Sequence, residues 1–476
     1  MTFRIKLALV VLAMALGHGE VLKAGWWPQF RGPGSAAAPE SDAKLPAAIG
    51  PDQGVLWKID LAPGHSSPVI ARGRLFLTTA GEKRLFTVAI DCDTGKILWE
   101  REAPADKLEK IHQVGSHAQP TSVTDGTRVV SFFGSTGLFC YDFEGKLLWQ
   151  VRMGPFKSEF GAASSPIISG DRVILNVDVD ADSFLAAFDK NTGKEIWRSD
   201  RSEFPVGCAT PIIWEVDGKK QIVVAGTLRI VGYDFDTGKE VWTVRGMARV
   251  CNTTPAIGAD KTLFVCGWAA AADPGERLTV PTFDEMIDMH DKNKNGTLEV
   301  EELPEGPFKQ RFGLIDRDKD GHITRQEWNG MKKIFEAAEN RLVAIRPGGT
   351  GEITDSHVLW SQDRNLPFVA SPLYHKGLLY LVKDNGILTV LDAGTGKPTR
   401  SDRLQAAGNY YASPVAGDGK VFVCSQKGAL IVVSAEKDWK TLHKADFEEE
   451  IFATPAIVDG RIYLRTTGHL YCFGTK

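Results

Sequence analysis

The 476-residue chain is poor in several features that would define a function class. After Gly17 no apolar run reaches the ~18 residues of a spanning helix, which excludes a multi-span helical membrane protein. Charge of one sign is also lacking. Lys and Arg number 56 against 60 Asp and Glu, a formal net charge of −4, which argues against a nucleic-acid binder. Cysteines are few: Cys92, Cys140, Cys208, Cys251, Cys266, Cys424 and Cys472. Their number is odd, their spacing irregular, and neither CxxC nor CxxCH occurs, so a zinc ribbon and attached haem both lose support. Most sit in apolar stretches such as VFVCS and HLYCF, which predicts buried free thiols. No GxSxG, HExxH or phosphate loop is found. Hydrophobic residues make up 43% and charged residues 24%, the balance of an ordinary soluble protein, and disorder and collagen are excluded.

At the N-terminus, two basic residues in MTFRIK precede an apolar run from Leu7 to Gly17. This is the pattern of a secretory signal peptide, expected over residues 1–19 with a cut as late as 24. The mature protein is expected to be periplasmic or secreted, and no Cys near the cut supports lipid attachment.

The dominant signal is repetition. A small-Pro-apolar motif recurs at Pro68, Pro120, Pro166, Pro211, Pro255, Pro372, Pro414 and Pro455, at intervals of 52, 46, 45, 44, 117, 42 and 41 residues. One unit therefore holds an insertion of ~70 residues beyond the ~40–45 of a propeller blade. A second motif is sharper. AIDCDTGKILW and AFDKNTGKEIW match A-x-D-x-x-T-G-K-x-x-W throughout, and GYDFDTGKEVW differs only at Gly232. CYDFEGKLLW is one residue shorter, and VLDAGTGKPTR has Arg400 in place of Trp. Asp and Thr side chains can bond turn amides, Gly accepts positive φ, and Trp can pack sideways between units. Four short strands per unit make a propeller blade. The last unit stops after three strands, while the stray GVLWKIDL before the first unit carries Trp57. The N-terminal strand is thus expected to complete the last blade and remove exposed sheet edges.

These repeats resemble those of the PQQ-like, quinoprotein-type eight-bladed propellers, a family that includes quinoprotein alcohol dehydrogenases and the outer-membrane assembly protein BamB. The expected fold is all-β, with residues 25–270 and 341–476 forming the propeller and 271–340 inserted in blade five. The quinoprotein dehydrogenases typically carry an adjacent Cys pair over the quinone, a propeller-bound Ca²⁺ and an Asp base. No two Cys are adjacent here.

The insertion reads as two EF-hands. DKNKNGTLEVEE places Asp291, Asn293, Asn295, Thr297, Glu299 and Glu302 at ligand positions 1, 3, 5, 7, 9 and 12. DRDKDGHITRQE places Asp316, Asp318, Asp320, His322, Thr324 and Glu327 in the same order. Ca²⁺ wants six to eight oxygens, and Gly296 and Gly321 at position 6 permit the sharp turn. Two Ca²⁺ sites follow, the second expected to bind more tightly because it carries more ligand charge. Leu298 and Ile323 at position 8 suit pairing between the loops. Strand parity puts this insertion on the rim where the inner strands begin.

Three residues before each blade proline lie His65, His117, Ala163, Cys208, Asn252, Val369, Tyr411 and Phe452. They are expected to ring one mouth of the channel, where His65, His117, Asn252 and Tyr411 could bind a small polar ligand or a peptide end. The Asp178, Asp180 and Asp182 series reads as a solvated hairpin, FEEEIF as a solvated acidic rim, and WWPQFRGPG as a segment wrapping the barrel side.

The resemblance to BamB implies a non-enzymatic interaction or assembly module acting on a protein or peptide in the cell envelope. The competing class is a PQQ-dependent oxidoreductase. A third is a calcium-dependent binder of polysaccharide or cell surface.

Overall fold

A computed structural model describes residues 25–33, 36–38, 43–158, 160–270, 272–273 and 279–475. The signal-peptide region lies outside these residues. Eight sheets are formed by the described chain, antiparallel throughout except where Gly351–Glu352 pairs parallel with Glu240–Arg245. The first strands of neighbouring sheets contact one another around a common axis, so the sheets stand as blades of a propeller. Blade one contains Val69–Ala71, Arg74–Gly81, Arg84–Asp91 and Ile97–Glu102. Blade eight is made of Ala456–Val458, Arg461–Arg465 and His469–Phe473, with Val55–Asp60 pairing on His469–Phe473. The early strand closes the circle, as the stray Trp57 leads one to expect.

The repeat motif explains how blades adhere. Asp91 Oδ1 accepts from the amides of Asp93 and Thr94 at 3.1 and 2.9 Å and from the Thr94 hydroxyl at 2.7 Å. Asp189 and Asp392 do the same with Thr192 and Thr395, and these threonine bonds hold all three carboxyls below the usual range. Such turns present a glycine at positive φ, and the indole of the preceding blade lies on that glycine. Trp149 Nε1 donates to Lys190 O at 2.9 Å while its ring covers Gly193. Trp57, Trp99, Trp197 and Trp360 dock in the same way on Gly95, Gly145, Gly238 and Gly396. Blade four differs: Trp242 turns back to Gln221, and Trp214 donates to Lys261 O instead. Arg400 replaces the indole of blade six with an ion pair to Asp438 and a face over Trp439.

The small-Pro motif has a separate purpose. The amide of Ser67 donates to Thr121 Oγ1, that of Thr121 to Ser165 Oγ, and that of Ser165 to Thr210 Oγ1. The series resumes from Thr254 through Ser371, Ser413 and Thr454 back to Ser67. Small hydroxyl residues therefore satisfy amides of the inner edge strands that have no sheet partner on that side. Between blades four and five the circle is open, and the buried Thr254 Oγ1 has no partner.

Two sequence expectations are corrected. The WWPQF segment does not wrap the barrel side. Trp26–Trp27 pairs with Val69–Ala71, adding a strand to the inner edge of blade one. The chain then crosses the channel. Buried Arg31 donates to Thr254 O, Pro255 O and Pro372 O, and Ala37 bridges Ala416 of blade seven. Free carbonyls on the inner strands make this inward route favourable, and burial lowers the guanidinium to about 9. Nor is Asp178 part of a solvated hairpin. It forms a bidentate, wholly buried pair with Arg201 at 2.8 and 2.7 Å, and Arg201 also donates to Tyr233 Oη.

Candidate functional site at the channel mouth

The chain leaves blade five after Leu263–Gly267 and returns at Arg341–Ile345, which pairs with it. Between these strands lie the helices of the insertion. Helix Phe283–His290 starts in a capping box between Thr282 and Glu285, and helix Arg325–Ala337 in one between Thr324 and Glu327. Both boxes satisfy amides that a helix start leaves unpaired. Leu298 and Ile323 exchange both backbone bonds, at 3.1 and 2.8 Å, joining the two loops as their position-8 placing requires. Phe283, Met286, Ile315 and Trp328 form the small core beneath them. The first hand has no exit helix, only turns at 300–302 before Pro304.

The second loop fits a hard cation. Carboxylate oxygens of Asp316, Asp318 and Asp320 lie within 4.8 Å of one another. Asp316 is buried, and its Oδ1 has no hydrogen-bond partner. Gly321 has φ +90°, and its amide donates to Asp316 Oδ2 at 3.1 Å. Converging, under-satisfied carboxylates repel one another without a cation between them, and Ca²⁺ prefers such all-oxygen sets. Glu327 accepts from the amides of Arg317 and Thr324, both at 2.8 Å. In the first loop the oxygens are engaged internally. Asn293 and Asn295 donate to Glu299 at 2.7 and 2.5 Å, Thr297 Oγ1 donates to Asn295 Oδ1, and Asp291 accepts from the amides of Asn295 and Gly296. Glu302 accepts from Lys292 and Glu299 amides. His322 Nδ1 lies 3.1 Å from Glu299 Oε1, tying the loops together.

At the mouth, the expected ring is modified. In blade two the hydroxyl residue follows the proline (Pro120-Thr121), whereas elsewhere it precedes it. The position equivalent to His65 is therefore Gln119, and the register carries His117 two residues out of the ring. His117 Nδ1 is buried without a partner, and burial lowers its pKa. His65 stacks on Phe452 at 3.9 Å, and Phe452 on Tyr411 at 5.5 Å. Burial first and Arg465 second push His65 down to about 3, so the ring is neutral at physiological pH. His65 thus fills the mouth, while Asn252 and Tyr411 open onto a cavity.

That cavity has a volume of about 560 Å³ and lies between the propeller and the insertion. Gln119, Asn252, Val369 and Tyr411 contribute from the ring; Phe308, Leu314, Met331, Ile334 and Phe335 contribute from the EF-hand side. Glu327, a ligand position of the second loop, borders the same space. The roof is fixed at its base. Asn340 exchanges two bonds with the backbone of Ala269, at 2.8 and 2.9 Å, and the Glu339 amide donates to Met247 O. Arg249, Arg311, Gln119 and Trp268 were absent from the sequence-derived ring. The Thr121 hydroxyl offset marks Gln119, whereas no local motif marks the others.

The family model described as outer membrane protein assembly factor BamB matches residues 37–123 and 88–267. Over residues 37–267 the chain is therefore similar to BamB-type repeats, and its fold is an eight-bladed propeller. The EF-hand family model matches residues 308–332, the second hand. BamB of Burkholderia pseudomallei (strain K96243) is 34% identical over 119 residues, which cover 24% of this chain and 28% of that protein. The chain thus matches little more than a quarter of that curated relative's length. Among solved structures, BamB from Moraxella catarrhalis has a TM-score of 0.54 at 13% identity, covering 88% of this chain and 99% of that one. The quinohemoprotein alcohol dehydrogenase ADHIIG from Pseudomonas putida HK5 has a TM-score of 0.55 at 12% identity, covering 95% and 81%. A europium-containing methanol dehydrogenase has a TM-score of 0.53 at 12% identity, covering 95% and 99%. These structures share the propeller fold with this chain. The seven cysteines are free, six of them buried, and burial raises Cys208 and Cys251 to about 12. Among the described residues no helix is long and apolar enough to cross a membrane.

Proposed function

We propose that this propeller is an extracytoplasmic, calcium-binding protein that works as a non-enzymatic interaction module of the cell envelope. The observation that carries the reading is the position of Glu327. It belongs to the second cation loop and also borders the cavity at the channel mouth. An ion held by Asp316, Asp318, Asp320, the His322 carbonyl, Thr324 and Glu327 supplies a fixed positive charge that pins the loop and the helix after it. The first loop, Asp291 to Glu302, is the second and weaker site of this reading. The chain's own residues then set the rim: Leu298 and Ile323 couple the loops, Trp328 anchors the exit helix through Pro281 O at 2.9 Å, and Asn340 ties the pair to blade five. The partner is a protein or peptide, in keeping with the assembly-factor name of the relatives.

The test is capture from envelope extract with the tagged mature protein in millimolar Ca²⁺, in chelator, and with the Glu327→Gln variant. A defined partner retained in Ca²⁺ and lost in both other arms is the expected result. Equilibrium dialysis against PQQ runs alongside. Stoichiometric PQQ retention with dye-linked alcohol oxidation would replace this reading with a dehydrogenase.

A further inference from the structure

The cavity under the EF-hand roof carries an unused pair of cations. Arg249 is half-buried; its Nη1 donates to Ala270 O at 2.7 Å, and its guanidinium lies 4.7 Å from the centre of the Phe335 ring. Arg311 comes from the helical segment before the second loop and lines the same space. Among the described residues, neither guanidinium is paired with a carboxylate. The carboxylates that do line the cavity are Asp180 and Glu327, and Glu327 is engaged by the amides of its own loop. Arg317 and Lys319 add two more cations to the border. Burial and the neighbouring Arg311 lower Arg249 to about 10, the effect of two like charges sharing one partly dry space.

Around these cations the walls are apolar. Val206, Val250, Phe368 and Val369 come from the propeller, and Met331 and Ile334 from the exit helix. A volume of about 560 Å³ falls within the range that encloses most of a small organic ligand. Asn252 and Gln119 provide neutral hydrogen-bonding groups at the channel end. A bare inorganic anion would leave the apolar walls uncovered, and a neutral hydrocarbon would leave the guanidiniums without a counter-charge. Guanidinium groups bind carboxylate and phosphate through the same paired N–H donors.

We propose that this cavity binds a small amphiphilic anion, with an aliphatic or aromatic body between the exit helix and the channel mouth and a carboxylate or phosphate head on Arg249 and Arg311. The inference rests on the mouth being a binding site, as in the reading above, and names the ligand it takes.

The test uses isothermal titration of the Ca²⁺-loaded mature protein with decanoate, decyl phosphate and decanol. Saturable binding of decanoate or decyl phosphate with one ligand per chain is expected, with decanol at least about tenfold weaker; whichever of the two binds tighter identifies the head. Arg311→Gln, at an exposed site, and Arg249→Gln should each weaken the anions about tenfold and leave decanol unchanged, the loss expected for one charge-assisted bond. Arg249→Lys, which keeps the charge, should retain most of the affinity and guards against misfolding of the Gln variant. Decanol binding as tightly as the anions, variants binding like wild type, or no binding by folded, Ca²⁺-loaded protein would overturn the proposal. Failure here leaves calcium-dependent partner capture standing, and failure of capture leaves decanoate binding standing, so the two claims fall separately.

Discussion

Replacing Gly193 by Ala tests how the blades adhere. Gly193 has φ +72°, and an added Cβ would sit 2.6 Å from Cε3 of Trp149 and 3.2 Å from Cγ2 of Val151 in the preceding blade. Gly170 is the control: its φ is +60°, and nothing lies within 4 Å of an added Cβ. Both substitutions bear the left-handed backbone cost, about 1 kcal/mol. Gly193→Ala must also displace a docked indole, which adds about 1–3 kcal/mol of overpacking. Losing the Trp149–Lys190 bond adds about 1 kcal/mol more. Urea unfolding should therefore place Gly193→Ala about 3–5 kcal/mol below wild type and Gly170→Ala about 1 kcal/mol below. Equal losses in the two variants would refute the docking argument, since only backbone strain would then be at issue.

Further outcomes follow from buried groups. Burial raises the Glu109 carboxyl to about 7, from 4.5, against one bond from the Ala162 amide. The folded state holds a proton that the unfolded chain releases, so the stability linked to this group is complete below about pH 4.5 and lost as pH rises through 7. Glu109→Gln should unfold at higher urea than wild type at pH 8, by up to about 3 kcal/mol, and match it at pH 4; a pH-independent offset would contradict this. Arg201→Met strands Asp178 in the interior and should cost about 3–5 kcal/mol by urea unfolding, with a loss under about 1 kcal/mol counting against the buried pair. Ser165→Ala removes the acceptor of the buried Thr121 amide and should cost about 1–3 kcal/mol in the same assay, whereas a neutral result would mean the hydroxyl circle does not hold the inner strands.

Much of the propeller was legible because one physical need recurs eight times. Each blade must bury a face against its neighbour, so Asp, Thr, Gly and Trp return at fixed offsets, and the isolated Trp57 reveals the closing strand. The EF-hand loops were legible because the coordination geometry of such loops fixes residue types one by one. What escaped depended on distant pairing. Asp178 looks solvated until Arg201, 23 residues later, folds back on it. The Trp26–Arg31 segment looks like surface until the free inner edges of blades one, five and six draw it inward. His117 was misplaced because the motif was aligned on Pro120, while the hydroxyl of Thr121 makes the contact that sets the register. Arg249 and Arg311 lie in different parts of the chain and meet only where the insertion is laid over the mouth.

The most direct measurement is Ca²⁺ titration by calorimetry of the protein stripped with chelator, beside its Glu302→Gln and Glu327→Gln variants. Two binding events are expected, the tighter one lost in Glu327→Gln and the weaker one in Glu302→Gln. Absence of any saturable Ca²⁺ binding up to millimolar concentration by the folded protein would contradict the central claim that a calcium loop shapes the channel mouth.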